Sequence, residues 1–138
     1  MTKHQTSDSD RNFRQAFEAC SVLPGEFNHL AHLRLAYVYL AENELEVAQD
    51  KFRYSLLSFL SAHSIPESKF HHTLTRAWVL AVRHFMNRYS SSSFSEFASQ
   101  SKPLLDSKVM LTHYSAELLF SPNARSSFLE PDLEAIPS

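Results

Sequence analysis

The chain has 138 residues, 43% of them hydrophobic and 20% charged, and a net charge of -2. That length fits one domain with a sizeable core, and the composition argues against wholesale disorder. The charge gives no general pull toward nucleic acid or anionic membrane, and no apolar run approaches the roughly 18 residues of a membrane span.

Residues 1–7 are expected to be a disordered tail and residues 8–138 a single helical domain. A first helix is predicted from about Asp8 to Cys20, with Phe13, Phe17 and Cys20 on one face. Leu23, Pro24 and Gly25 read as a turn. Asn28 is positioned to cap a second helix reaching about Ala41. Asn43, with Glu46 at the third helical position, is expected to cap a third helix to about His63. Ser64, Pro66 and Glu67 look like the start of a fourth, reaching about Tyr89. Ser93 with Glu96 opens a short helix through Gln100, and Pro103 breaks the chain. A last helix is predicted over about Asp106 to Phe120. The tail beyond it is expected to be extended, with Phe128, Leu129, Leu133 and Ile136 strapping it to the body. The expected fold is all-α, an antiparallel bundle of about five helices with an extended C-terminal tail.

Gly25 is the only glycine, which removes phosphate-cradling loops and dinucleotide fingerprints. Cys20 is the only cysteine, so no internal disulfide forms. The N-terminal stretch is polar and lacks the apolar core of a signal peptide, so the expected compartment is the cytoplasm. A buried hydrophobe is the simplest reading of Cys20. Arg34, Arg76, Arg83 and Arg125 read as solvated or paired with local carboxylates, with an anionic substrate as the alternative.

The histidines are the main functional signal. His29 and His32 lie about 60° apart on one helix face, shared with Leu33, Ala36 and Leu40. His71 shares a face with Leu74, Thr75, Trp78, Val82 and Phe85, and His72 sits at its boundary. His113 shares a face with Val109, Ala116 and Phe120. Imidazole is the commonest protein metal ligand. His29, His32 and His71, with His113 or His72 as a fourth, are therefore candidate ligands for a transition metal ion such as Fe, Cu, Zn or Ni. Such a metal could polarise a small substrate or activate water, with Tyr114 or Thr75 assisting. Two readings stand beside it: a metal-free polar pocket in which histidines do acid–base work, and hydrogen-bonded core histidines.

Two resemblances bear on this. Leu35, Ala36, Tyr39, Ala48 and Phe52 are spaced similarly to the small and aromatic positions of a tetratricopeptide repeat, though no second copy follows about 34 residues on. The spacing reads as generic antiparallel helix packing, with a non-catalytic helical adaptor binding a protein partner as the alternative it leaves open. The second covers most of the chain, in the blocks FNHLAHLRLAYVYL (27–40), KFHHTLTRAWVLAV (69–82), LLDSKVMLTHYSAELLFSPNAR (104–125) and FLEPDLEAIP (128–137). These resemble a family of small all-helical bacterial proteins without an established activity. The family pattern has glutamate where His72 stands here. The resemblance implies one structural unit and no particular reaction. A small-molecule ligand, a protein partner or a homo-oligomer are the expected partners, and nucleic acid and membrane are not.

Overall fold

The computed structural model describes residues 2–137 and is all-helical, with no strand among them. Seven α-helices follow one another: α1 (Asp8–Glu18), α2 (His29–Glu42), α3 (Leu45–Ala62), α4 (His72–Met86), α5 (Phe94–Gln100), α6 (Ala116–Leu119) and α7 (Pro122–Ser126). Short 3-10 turns separate several of them.

Helix α2 is the axis of the fold, packed against α1, α3, α4 and α5. Its sequence explains this. Leu33, Leu35, Ala36, Tyr37, Val38 and Tyr39 are all buried, so apolar groups surround the helix instead of forming one stripe. The narrower face predicted from Leu33, Ala36 and Leu40 is therefore only part of what is covered. Helix α3, by contrast, buries Ala48, Phe52, Ser55, Leu56 and Phe59, the spacing of a single helical face. Joined to α2 through Asn43 and Glu44, it forms a helical hairpin with it.

The caps set several boundaries differently from the sequence expectation. Asn43 does not cap α3; it closes α2, and its side-chain amide donates to the Tyr39 carbonyl at 3.0 Å. Glu44 occupies the cap position of α3. Helix α3 ends in a Schellman arrangement, with Ile65 N–H bonded to the Leu60 carbonyl and Ser64 N–H to that of Ser61. Ser64 is held there at φ 56°, so it terminates α3 and cannot open α4, which begins at His72. Cys20 does the same for α1 at φ 58°.

The last predicted helix does not form as one piece. Between Asp106 and Phe120 the chain makes a 3-10 turn over Val109–Thr112 and then the single-turn α6. Short polar side chains interrupt it. Asp106 takes the Lys108 amide and Ser115 takes that of Leu118, offering the backbone local partners in place of a continuous ladder.

The terminal segments of the described residues are both tied down. The segment expected as a disordered tail runs beside Ser91, with Gln5 N–H bonded to the Ser91 carbonyl and Ser91 N–H to that of Lys3. His4 Nδ1 lies 2.7 Å from Ser91 Oγ, and the buried Tyr37 hydroxyl donates to the Gln5 carbonyl. Met1 lies outside the described residues. At the other end the extended strap is held by polar contacts as well as by the apolar side chains expected. Thr73 Oγ1 donates to the Ser127 carbonyl and accepts from Leu129 N–H. Tyr114 donates to the Leu129 carbonyl, and Asp132 accepts from the amide and hydroxyl of Ser115.

No described helix is long and apolar enough to cross a membrane.

Candidate functional site

A cleft of about 480 Å³ opens among α2, α3 and α4. Phe27, Phe52, Leu56, Phe59, Ile65 and Phe70 make its apolar walls. Its polar lining is small: His29, His32, His71, Thr75 and Lys69, with Trp78 beside them. Lys69 is exposed and, among the described residues, is the only Lys, Arg, Asp or Glu that lines it.

The cleft follows from how α4 is rotated. Thr73, Ala77, Val79, Ala81, Val82 and Met86 are the buried residues of α4, a face offset from the predicted one. Leu74, Thr75 and Trp78 are thereby only half-buried and stand along the edge of the core, where they wall the cleft. The opposite wall, with Phe27, Phe59 and His32, is backed by the buried Phe17 in an aromatic ladder. Phe17 stacks on Phe59 at 4.8 Å between ring centroids, Phe27 lies 4.5 Å from Phe17, and the His32 ring lies 3.8 Å from Phe27.

The three imidazoles of the cleft differ in what their nitrogens already do. His32 Nδ1 donates to the Asn28 carbonyl at 3.0 Å, one turn back on its own helix, which leaves Nε2 as the lone-pair nitrogen. His29 Nε2 donates to the Leu104 carbonyl at 2.8 Å, leaving Nδ1 as the lone-pair nitrogen, and its ring meets the edge of Trp78 at 4.6 Å. Neither lone-pair nitrogen has a hydrogen-bond partner among the described residues. His71 is fully engaged. Its Nδ1 accepts the Leu74 amide as the N-cap of α4, and its Nε2 donates to the Leu119 carbonyl at 2.8 Å. Burial is the main cause that holds both His32 and His71 below the usual imidazole pKa, and their carbonyl hydrogen bonds oppose it. These two rings are neutral near pH 7.

The other sequence-predicted residues lie elsewhere. His113 donates from Nδ1 to the Glu134 carbonyl of the strap and lines a separate cavity of about 170 Å³ with His84, Met110 and Ile136. His72 packs edge-on against Phe70 and faces a depression shared with Arg125. Tyr114 is fully buried with its hydroxyl 2.7 Å from the Leu129 carbonyl, and burial, with Glu130 and Asp132 nearby, pushes its pKa up to about 12. It does not line the cleft. The structure thus brings together His29, His32, His71 and Thr75, and separates His72, His113 and Tyr114 from them. Among the described residues no three His, Cys, Asp or Glu side chains are grouped as a metal ion requires.

Sequence reasoning missed the aromatic walls. Phe27, Phe59 and Phe70 were legible as apolar residues near helix ends, but nothing in their spacing places them around one space.

A larger depression of about 620 Å³ is lined by Asp10, Phe13, Arg34 and Phe94, among others. Arg34 and Asp10 pair with each other there, and Glu26 accepts the Leu23 amide. Arg34 Nε donates to Asp10 Oδ1 at 3.0 Å, and Asp10 Oδ2 takes the amides of Ser7 and Phe94. Burial alone would raise the Asp10 pKa, but these donors together hold it below the usual carboxylate value. Asp10 is thereby a clamp joining α1, α2 and the start of α5. Arg76 is likewise paired, with Glu46 at 2.8 Å.

No protein-family model, curated protein or solved structure matches the chain.

Proposed function

We propose that this protein binds a small, mainly apolar molecule in the cleft between α2, α3 and α4. The observation that carries the reading is a space of about 480 Å³ with aromatic and aliphatic walls and a few converging polar groups, the usual make-up of a small-molecule site. The volume suits a ligand of one or two rings. His29 and His32 supply hydrogen-bond acceptors, and Thr75 supplies a hydroxyl. His71 fixes the frame, since engaging either of its nitrogens would undo the cap of α4 or its tie to α6. Catalysis by this site would use the His32 lone pair as a general base on the bound molecule.

A thermal-shift screen of one- and two-ring fragments tests the reading, with Thr75→Phe as the variant that fills the cleft. Fragments that raise Tm in the wild type and lose their effect in a folded Thr75→Phe protein support it. Fragments that stabilise both proteins equally, or none that stabilise either, contradict it.

A further inference from the structure

The lining of the cleft narrows the ligand class, an inference that rests on the small-molecule reading above. We infer that the ligand is uncharged and carries a hydroxyl or N–H donor on a flat apolar body, a phenol-like molecule whose donor meets Nε2 of His32.

Three observations lead there. His32 Nδ1 is committed to the Asn28 carbonyl, so the ring is fixed in the tautomer whose Nε2 can only accept. His29 is fixed in the complementary sense by the Leu104 carbonyl and offers Nδ1, again an acceptor. These two histidines, which line the cleft, therefore each carry an uncommitted lone pair. An anion meets repulsion from both and finds one cation, Lys69, which is exposed. A cation finds no carboxylate among the lining residues. A neutral donor satisfies a lone pair without carrying charge out of water, the cheapest match for an apolar site. The stack of Phe27 against His32 sets a flat surface beside the acceptor, and Trp78 stands at His29. A ring held between such surfaces gains offset or edge contacts as its hydroxyl reaches the imidazole.

The test compares phenol, toluene and benzoate by calorimetry on wild type and His32→Phe, with circular dichroism confirming that the variant folds. In the wild type phenol binds about tenfold more tightly than toluene, the ratio expected of one hydrogen bond to a half-buried acceptor, and benzoate binds weakest. In His32→Phe phenol falls to the level of toluene. A measurement on the unmodified protein stands beside it: the His32 Nε2 nitrogen resonance moves upfield with phenol and stays in place with toluene. Equal binding of phenol and toluene with no movement of that resonance overturns the donor assignment and leaves the cleft as an apolar site. Tighter binding of benzoate overturns it in favour of an anion at Lys69. Binding of none of the three removes the cleft reading itself.

Discussion

His71 joins two distant parts of the chain: its Nδ1 caps α4 at Leu74 while its Nε2 holds the Leu119 carbonyl of α6, 48 residues away. One imidazole thus does what an N-cap side chain and a tertiary hydrogen bond would do separately. Replacement by alanine removes both, at about 1 kcal/mol for the cap and about 1 kcal/mol for the hydrogen bond. His71→Ala is expected to lose about 2 kcal/mol in urea unfolding. His71→Asn, which can still cap, recovers roughly half. Equal losses in the two variants would mean that the cap contributes nothing.

The two depressed imidazoles set the acid response. His32 and His71 have folded-state pKa values below the ordinary 6.5, with burial as the first cause. As the pH falls below about 6.5 the unfolded chain takes up these protons first, so it binds more protons than the folded chain and stability drops. The loss continues until the folded-state values are passed. Asp10 opens a second window of the same sign below its ordinary 3.8, where its clamp is protonated. Urea midpoints are therefore expected to be level between about pH 7 and pH 9 and to fall as the pH drops below 6.5. A stability that rises as the pH drops would contradict the assignment.

Among the described residues two non-glycines occupy the left-handed region, Cys20 at φ 58° and Ser64 at φ 56°. Each closes a helix, and only Gly25 in the whole chain is a glycine. Ser64→Gly relieves a backbone cost of about 1 kcal/mol, partly offset by the greater freedom of glycine when unfolded. The substitution is expected to raise Tm, and a lowered Tm would show that the Ser64 side chain matters more than its backbone.

Thr73 is fully buried and its hydroxyl serves both Ser127 and Leu129 of the strap. Thr73→Val keeps the shape and removes both bonds, at a cost of about 1–2 kcal/mol. Hydrogen exchange at the Leu129 amide should accelerate well beyond that of amides in α2. Unchanged exchange there would show that apolar packing alone retains the strap.

The commitments of His71 also bear on metal. Coordination at either nitrogen would displace the Leu74 amide or the Leu119 carbonyl, and His113 and His72 stand outside the cleft. Untagged protein incubated with Fe(II), Cu, Ni or Zn is expected to retain no more than a His29→Ala/His71→Ala variant by mass spectrometry. Stoichiometric metal in the wild type, lost in the variant, would overturn that expectation and reinstate a metal centre.

Much of the architecture was legible because it is local. The caps at Asn28 and Ser93 are where the sequence placed them, and α1 to α5 each overlap their predicted spans. Departures arose where polar side chains outcompeted periodicity. Ser64 closes a helix instead of opening one, His71 takes over the capping role, and Ser115 with Asp106 breaks the final helix. The inward histidines were recognised, but a helical wheel cannot tell which nitrogen is already bonded. His113 shares apolar periodicity with its neighbours and is claimed by the strap carbonyl of Glu134, a tertiary contact with no local signature. The rotation of α4 by its small buried residues, Ala77 and Ala81, is what turns Trp78 and Thr75 from core positions into cleft walls.

Binding in the cleft is the central claim, and a nitrogen–proton NMR titration with phenol addresses it most directly. Trp78 is the only tryptophan, so its indole N–H gives one resolved reporter inside the site. Saturable shifts are expected of that indole and of the Thr75 and His32 amides, with the amides around Asp10 and Arg34 unmoved. Saturable shifts centred on Asp10 and Arg34, or no saturable shift at Trp78, would contradict that claim.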